Sequence, residues 1–305
     1  MIREALKKDK TNIYELWKHA YPNKAQSHLQ FYFTHLFDQG RCVVCEQDNR
    51  IISSIHMQKH VMALAGRKLE VSYLSGVATH ADYRRRGHMR DLMNSAIDEA
   101  KHNHLITLIE AFNPKLYEPF GFEVVYYHKH YHIQKKYLDD IPSVKGVSHS
   151  FTAQDLLDVY EMFTKHFDGY CVRNIPYYEN FMRRGLLENS NICVYRDKHN
   201  IIRGYAYYTR KDKEMKVHEI VYLESIGLMK MLKYICGDCE EVQLEVSQAE
   251  SLDKIFPLAI PKKRPFLMAR INNFEIFNKL YNSNVKTAKE AFKIVRKPLY
   301  SNETF

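Results

Sequence analysis

The first 140 residues alternate between two spacings of hydrophobic positions, one typical of strands and the other of helices. The pattern predicts a strand over 69–79 and a helix over 87–103, whose apolar side chains, from Met89 to Ala100, share one face. The near-continuous apolar run 105–111 predicts a strand that is covered on both faces. The other predicted strands are 1–5, 42–46, 51–62 and 122–137, and the other predicted helices are 11–19, 25–37 and 114–119.

The same order of elements restarts near Val147 and predicts a second unit that resembles a decayed copy of the first. Residues 257–265 contain prolines and lysines and are predicted to form a linker before a short tail. The sequence therefore predicts an α/β (α+β) fold with two mixed, twisted sheets flanked by helices, in segments 1–142, 143–262 and 263–305. In the second unit the predicted helices are 152–166, 177–184 and 225–235, and the predicted strands are 190–196, 202–210, 216–223 and 241–246.

Composition adds a size and a charge to this picture. A chain of 305 residues exceeds one ordinary domain, and a hydrophobic content of 45% supports conventional cores and excludes a disordered protein. Lysine and arginine number 45 against 36 acidic residues, which gives a formal net charge of +9. This excess fits an anionic ligand such as a nucleotide cofactor, weak non-specific binding of nucleic acid, or simply a basic surface.

The N-terminal residues contain no apolar segment typical of a signal peptide, and no apolar run approaches the roughly 18 residues of a membrane span. The six cysteines do not form the framework of a small secreted domain. These features predict a cytoplasmic protein without a membrane partner.

The turn between the predicted strand 69–79 and the helix 87–103 is the first segment with recognisable chemistry. Three arginines, Arg84 to Arg86, precede Gly87, at which the helix is predicted to begin. Free backbone N–H groups at a helix N-terminus beside fixed positive charge form an anion site, and a residue without a Cβ lets a phosphate approach the backbone. The alternative interpretation is a solvated positive turn.

Residues 116–122 carry a second signature, in which Tyr117 lies four residues before Gly121. Together with the arginine turn, it resembles the GCN5-related N-acetyltransferase (GNAT) superfamily, which has an Arg/Gln-x-x-Gly-x-Gly/Ala pyrophosphate loop and a Leu-Tyr-x-x-x-Gly-Phe segment. The resemblance implies acetyl-CoA as co-substrate and Tyr117 as the general acid beside its sulfur, although a buried structural tyrosine is the alternative. The cofactor-binding residues that it implies are Val77 and Thr79 for the pantetheine arm, and Arg84, Arg85, Gly87, His88 and Met89 for the pyrophosphate.

Within that superfamily the chain resembles the Eis (enhanced intracellular survival) type. The features in common are the form Arg84-Arg85-Arg86-Gly87-x-x-Arg90, the second degenerate unit and the segment 268–271, which resembles the start of a sterol-carrier-like domain. The resemblance implies that the C-terminal carboxylate, here on Phe305, acts as the base, and that the protein is a homo-oligomer, a trimer or a hexamer. Two departures are Met89 at a Gly/Ala position and a tail of about 40 residues instead of a domain of roughly 100, so a frayed terminus is the alternative for Phe305.

On this resemblance, segment 1–142 is expected to be the catalytic GNAT domain, 143–262 a degenerate copy and 263–305 a truncated sterol-carrier-like region. The expected reaction is direct transfer of an acetyl group from acetyl-CoA to a primary amine of a small molecule or a peptide. The alternative is a non-catalytic acyl-CoA-sensing or polyanion-binding module. Nucleic acid is not expected as a partner. The acceptor stays open because it depends on the shapes of loops, chiefly 21–27 and loops of the second unit.

Two sets of residues with metal-ligand chemistry are not expected to bind metal. The pair Cys42 and Cys45 lies in a predicted strand, where positions three apart face opposite sides, and the pair Cys236 and Cys239 lies at a helix end in the other unit. A second set, His128, His130 and His132, alternates with other residues along the last strand of the first unit and predicts a solvated, mixed-charge strand face.

Overall fold

The computed structural model describes residues 1–211 and 214–303. Its internal contacts divide the chain into two compact units, and both are discontinuous in sequence. The first contains Met1–Val125, Pro265–Ile294 and residue Glu303, and the second contains Tyr126–Arg264 and Val295–Asn302. The tail segment predicted over 263–305 is thus shared between the two units.

Most of the predicted strands and helices are present in the predicted order, with bounds that differ by a few residues. The strands are β1 Ile2–Glu4, β2 Arg41–Gln47, β3 Arg50–Leu64, β4 Arg67–Thr79, β5 Ile106–Glu110, β6 Glu123–Gln134, β7 Val147–Ser148, β8 Tyr170–Cys171, β9 Ser190–Arg196, β10 Ile202–Lys211, β11 Glu214–Tyr222, β12 Glu241–Ser247 and β13 Lys262–Ile271. The α-helices are α1 Lys10–Ala20, α2 Gln26–Phe31, α3 His88–Asn103, α4 Ala153–Thr164, α5 Ile175–Leu187, α6 Ser225–Cys236, α7 Phe274–Tyr281 and α8 Ala288–Ala291.

Three predicted elements differ from the structure. The helix expected over 114–119 is two 3-10 turns, Pro114–Leu116 and Glu118–Phe120. The helix expected over 25–37 is α2 followed by a π-helical turn, Tyr32–Leu36, and a 3-10 turn. The linker expected over 257–265 is wrong in its last residues, because β13 begins at Lys262 and pairs with β5 in antiparallel register from Leu267 to Ile271. The prolines and lysines of that segment are typical of a linker and do not predict a strand. The strand forms because it pairs with β5, which lies more than 150 residues earlier in the chain.

In the first unit the strands follow the order β1-β2-β3-β4-β5-β13, and only β4 and β5 are parallel among the paired strands. The apolar face of α3, including Met93 and Ala96, packs on Leu74 and Ile109 on one side of this sheet. A second cluster around Trp17 covers the other side with α1 and the α2 segment. Burial of side chains of this size stabilises the sheet by about 1.5–3 kcal/mol for each large apolar residue.

The second unit repeats this arrangement. Its strands follow the order β6-β12-β11-β10-β9-β7, and β9, β10 and β11 are antiparallel neighbours before α6 leads into β12, which is parallel to β11. The strands β2, β3 and β4, the helix α3 and the strand β5 have the same succession in the first unit. The predicted α/β fold, with mixed β-strands flanked by helices, is therefore confirmed, but the expectation of two separate sheets is wrong, because the strands belong to one 13-stranded sheet.

Two details distinguish the second unit from the first. Only Leu223 and Glu224 link β11 to α6, so an acidic residue stands where the first unit has its arginines. The strands β11 and β12 pair only over Met215–Val217 and Val242–Leu244, and the C-terminal segment contacts both beyond that point. Asn302 Nδ2 donates to the His218 carbonyl at 3.1 Å, and Ser247 Oγ donates to the Leu299 carbonyl at 3.2 Å.

The residues with metal-ligand chemistry all pack or pair within the protein. Cys42 belongs to the cluster around Trp17 and Cys45 to the cluster under α3, so they face opposite sides of the sheet as predicted. His130 and His132 lie 3.3 and 3.1 Å from the carboxylates of Glu245 and Glu241 on β12.

The prediction of a solvated face is wrong for His128. It is 2% exposed, its Nε2 lies 2.9 Å from the Ser301 carbonyl, and burial lowers its pKa to about 4. Within residues 1–211 and 214–303, no group of three or more His, Cys, Asp or Glu side chains is placed to hold a metal ion. No helix in the same residues is both long and apolar enough to cross a membrane.

Candidate active site

A split between two parallel strands forms the centre of the candidate site. In the first unit, residues Ser72–Leu74 of β4 pair with Thr107–Ile109 of β5, and the pairing ends there although β4 continues to Thr79. On its other side, β5 stays paired with the antiparallel strand β13 as far as Glu110. Backbone groups of β4 beyond Leu74 therefore have no strand partner on the β5 side, which is where an extended ligand can bond to the main chain.

A β-bulge in β4 shapes the wall of this split. Ser54 pairs with Ala78 and His56 with Ser75, so two residues of β4, Gly76 and Val77, stand opposite one residue of β3. Gly76 has φ +57°, and a Cβ there would lie 1.6 Å from the ring of Trp17. Only glycine fits this contact between the strand and the indole.

Polar and aromatic groups fix the strands on the α1 side of the bulge. Trp17 Nε1 donates to Ser54 Oγ at 2.9 Å. The Tyr32 hydroxyl lies 2.7 Å from both His56 Nδ1 and Ser75 Oγ. Burial lowers the pKa of His56 to about 4, so its imidazole is neutral at pH 7 and orients the Tyr32 hydroxyl next to the bulge.

The arginine turn leads from the end of β4 into α3. Arg84 Nε donates to the Thr79 carbonyl at 3.1 Å, which ties the turn to the strand. Arg85 and Gly87 both have left-handed backbone conformations, with φ of 63° and 90°. Gly87 is the N-cap of α3 and has no side chain with which to cap it, so the first amides of the helix keep their hydrogen-bonding capacity for an anion.

The predicted pyrophosphate residues are not equally open. Arg84, Arg85 and Arg86 are exposed, and Arg86 stacks over the Tyr83 ring at 5.4 Å. The side chain of Met89 instead packs against the apolar cluster beneath α3, so only its backbone can face a ligand at the helix end. His88 is half-buried, with Nδ1 3.8 Å from Cys45 Sγ.

Tyr117 lies between two 3-10 turns, Pro114–Leu116 and Glu118–Phe120, that follow β5. It is 9% exposed and belongs to the same cluster as Val77 and Met89, so the structure brings these predicted residues together. Burial raises the pKa of Tyr117 to about 12, and the negative charge of Glu110 adds to the effect. The phenol therefore carries its proton throughout the neutral pH range.

Glu110 and Tyr21 are site residues that the sequence did not single out. The Tyr21 hydroxyl donates to the Val77 carbonyl at 2.8 Å, directly at the bulge. Burial raises the pKa of Tyr21, and electrostatic interaction with Tyr117 and Glu110 raises it further. Val77, which accepts the hydrogen bond from Tyr21, packs in the same cluster as Tyr117. Tyr21 opens the loop expected to shape the acceptor pocket, but no local pattern places that loop beside the end of β5.

The carbonyl oxygens of Val77 and Thr79 accept hydrogen bonds within the protein, from Tyr21 and Arg84. A carbonyl oxygen has two lone pairs, so each can accept one further bond from a ligand. Phe305, the predicted base, lies outside the described residues.

Comparison with known proteins finds a match to a family model within the first unit. Residues 1–125 match the family model of the acetyltransferase (GNAT) domain. A search of the curated proteins found no match.

Solved structures match most of the chain. A protein of unknown function from Enterococcus faecalis V583, described as a probable N-acyltransferase, is 19% identical with a TM-score of 0.75, over 89% of this chain and 72% of that one. A GCN5-related N-acetyltransferase from Anabaena variabilis is 13% identical with a TM-score of 0.72, over 90% and 73%. Eis1 from Mycobacterium abscessus is 13% identical with a TM-score of 0.68, over 92% and 75%. Residues 1–125 of this chain thus match a GNAT acetyltransferase domain, and the chain has the fold of these solved structures.

Proposed function

We propose that the first unit transfers an acetyl group from acetyl-CoA to a primary amine by direct attack. The observation that carries this proposal is the position of Tyr117, which packs in the same cluster as Val77 at the split between β4 and β5. The arginine turn at the same end of β4 supplies an anion site for the nucleotide part of the co-substrate.

The residues of the turn fit a diphosphate. A Cβ on Gly87 would lie 3.2 Å from an Arg90 guanidinium nitrogen, and its positive φ disfavours any other residue, so the space is kept for a close approach to the backbone. The exposed residues Arg84 and Arg85 directly precede the start of α3, three and two positions before its N-cap Gly87. Val77 and Thr79 would bond the pantetheine arm through the main chain.

Acetyl-CoA supplies the activated thioester, and Tyr117 neutralises the negative charge that develops on the sulfur when the thioester C–S bond breaks. The Tyr117 hydroxyl donates its proton towards the departing sulfur, which stabilises the thiolate. Glu110 has two roles in this proposal. Its charge keeps the proton on the phenol in the resting site, and it favours a cationic acceptor, whose ammonium group is attracted to the carboxylate.

Incubation of the protein with acetyl-CoA and a panel of polyamines and aminoglycosides, with detection of free thiol, tests this function. Thiol release above background is expected with the wild type. The variant Tyr117→Phe should lower kcat by roughly 100-fold or more, with little change in affinity for acetyl-CoA. Tyr14→Phe is the matched control, since Tyr14 packs edge-on against Phe33 at 5.3 Å, away from the split. A wild-type kcat in Tyr117→Phe would show that Tyr117 is not the general acid.

We also propose the terminal carboxylate of Phe305 as the base that deprotonates the acceptor, directly or through a water. Adding one glycine after Phe305 moves that carboxylate and should lower kcat by about tenfold or more. The control Phe305→Ala keeps a carboxylate at the same backbone position and should retain more activity. Equal kcat in the extended and unextended proteins would exclude the terminal carboxylate.

The alternative is a module that binds acyl-CoA or a polyanion without catalysis. It predicts no thiol release with any amine, together with an affinity for nucleic acid that falls steeply with salt. The same panel therefore separates the two functions.

A further inference from the structure

A cavity of about 500 Å³ lies in the second unit. It opens where β11 ends at Tyr222 and where the chain leaves β12 towards Glu250, next to the C-terminal end of α4. In the first unit the corresponding strand ends, those of β4 and β5, border the candidate active site. The cavity therefore occupies the position in the repeat at which the first unit has its site.

Glu250 is the feature of this cavity that points to a ligand. Its side chain lines the cavity but is only 5% exposed. One carboxyl oxygen, Oε2, accepts from the Ser247 backbone N–H at 2.9 Å, and the Tyr222 hydroxyl also interacts with the carboxyl group. The other oxygen, Oε1, is buried and has no partner within hydrogen-bond distance among the described residues. A buried polar atom without a partner is costly, and native proteins keep few of them.

Aromatic rings form the walls above this carboxyl group. Phe163 lies 4.8 Å from Phe167 and 5.9 Å from Tyr222, measured between ring centroids. Ring faces attract organic cations, and the attraction increases when water is excluded. Met162 and Leu223 extend the apolar wall, so the cavity combines one acidic group with aromatic and apolar side chains, and Lys165 and His166 lie at its exposed rim.

We propose that this cavity binds an organic cation, namely a primary ammonium group on an apolar or aromatic body. The ammonium donates to Glu250 Oε1, and the body lies against Phe163, Phe167 and Tyr222. The proposal does not depend on acetyl transfer, because none of these residues belongs to the first unit.

Proton release on binding provides a characteristic signature. Burial raises the pKa of Glu250 to about 8, so most molecules carry a neutral carboxyl at pH 7. A bound ammonium favours the carboxylate, so binding at pH 7 should release a proton. The other titratable groups that face this carboxyl or the cavity are Glu219 and Tyr222 on β11, Lys129 and Tyr131 on β6, and Lys165 and His166 at the exposed rim.

Calorimetric titration of the full chain with 2-phenylethylamine at pH 7 tests the proposal, with 2-phenylethanol as the neutral analogue. Measurement in two buffers of different ionisation enthalpy reports the released proton. Saturable binding with proton release is expected, and the alcohol should bind about tenfold or more weakly. Glu250→Gln should weaken the amine by about tenfold or more and abolish the proton release. Glu161→Gln, an exposed acid on α4, is the matched control and should bind as the wild type does.

A second variant keeps the test decisive if Glu250→Gln does not fold. Ala249→Trp fills the cavity and leaves Glu250 in place, and it should also lose the binding step. Thiol release with acetyl-CoA should be unchanged in both folded variants, which separates this cavity from the acceptor site of the first unit. Wild-type affinity and proton release in Ala249→Trp, or in a folded Glu250→Gln, would overturn the proposal.

Discussion

At the scale of single residues, the candidate site depends on positions whose backbone conformation excludes most side chains. Gly76 allows Trp17 to lie against the bulge of β4, and Gly87 begins α3 with a φ of 90°. Both glycines were visible in the sequence, but only the motif around Gly87 indicated a role. Gly76 and Trp17 are 59 positions apart in the chain, so no local sequence pattern predicts their contact.

The variant Gly87→Asp should abolish binding of acetyl-CoA. It places a negative charge where the diphosphate is proposed to bind, and it strains the left-handed backbone by about 1–2 kcal/mol. Calorimetry with acetyl-CoA measures the loss. The control is Gly66→Asp, since Gly66 also has a positive φ, at 78°, but lies in the β3–β4 turn with open space around it. Unchanged affinity in Gly87→Asp would remove the turn from the site.

At the scale of elements, the same pair of diverging parallel strands is used in two ways. In the first unit the split between β4 and β5 is proposed to take the co-substrate. In the second unit the C-terminal segment 298–302 bonds to β11 and to β12 beyond their last pairing. Tyr300 is 2% exposed and packs edge-on against Phe163 at 5.2 Å, which anchors this segment in the apolar cluster of the second unit.

Tyr300→Ala should therefore destabilise the protein by about 3–5 kcal/mol, because it removes a large buried ring whose space cannot close. Urea unfolding followed by circular dichroism gives the change in the free energy of unfolding. Tyr234→Ala is the matched control, since Tyr234 is 38% exposed and should cost much less. Equal effects of the two variants would show that the segment does not stabilise the second unit.

At the scale of the whole molecule, buried histidines set how stability depends on pH. Burial lowers the pKa of His56, His60, His128 and His218 from 6.5 to about 4. Below pH 6.5 the unfolded chain binds protons that the folded protein does not take up, so the folded state loses stability until the pH reaches about 4.

The free energy of unfolding should keep its full value above pH 6.5. It should fall as the pH drops from 6.5 towards 4, by about 1.4 kcal/mol per pH unit for each such histidine. Urea midpoints at pH 7, 6, 5 and 4 measure the slope. His56→Asn should reduce it, whereas His102→Asn, which changes an exposed residue of α3, should not. A midpoint that stays constant from pH 7 to pH 5 would contradict the neutral buried imidazoles.

The sequence by itself determined the order of most strands and helices up to β12 and the start of α3, and it indicated Arg84, Gly87 and Tyr117 as candidate site residues. These follow from periodicity, turn residues and short motifs, all of which act over a few neighbouring residues. Tertiary structure alone decided that 262–271 is a strand, that His128 is buried, and that Glu110 and Tyr21 lie near Tyr117. Each of these results depends on a partner distant in the chain, because a strand's register and a side chain's burial are fixed by what packs against it rather than by its own sequence.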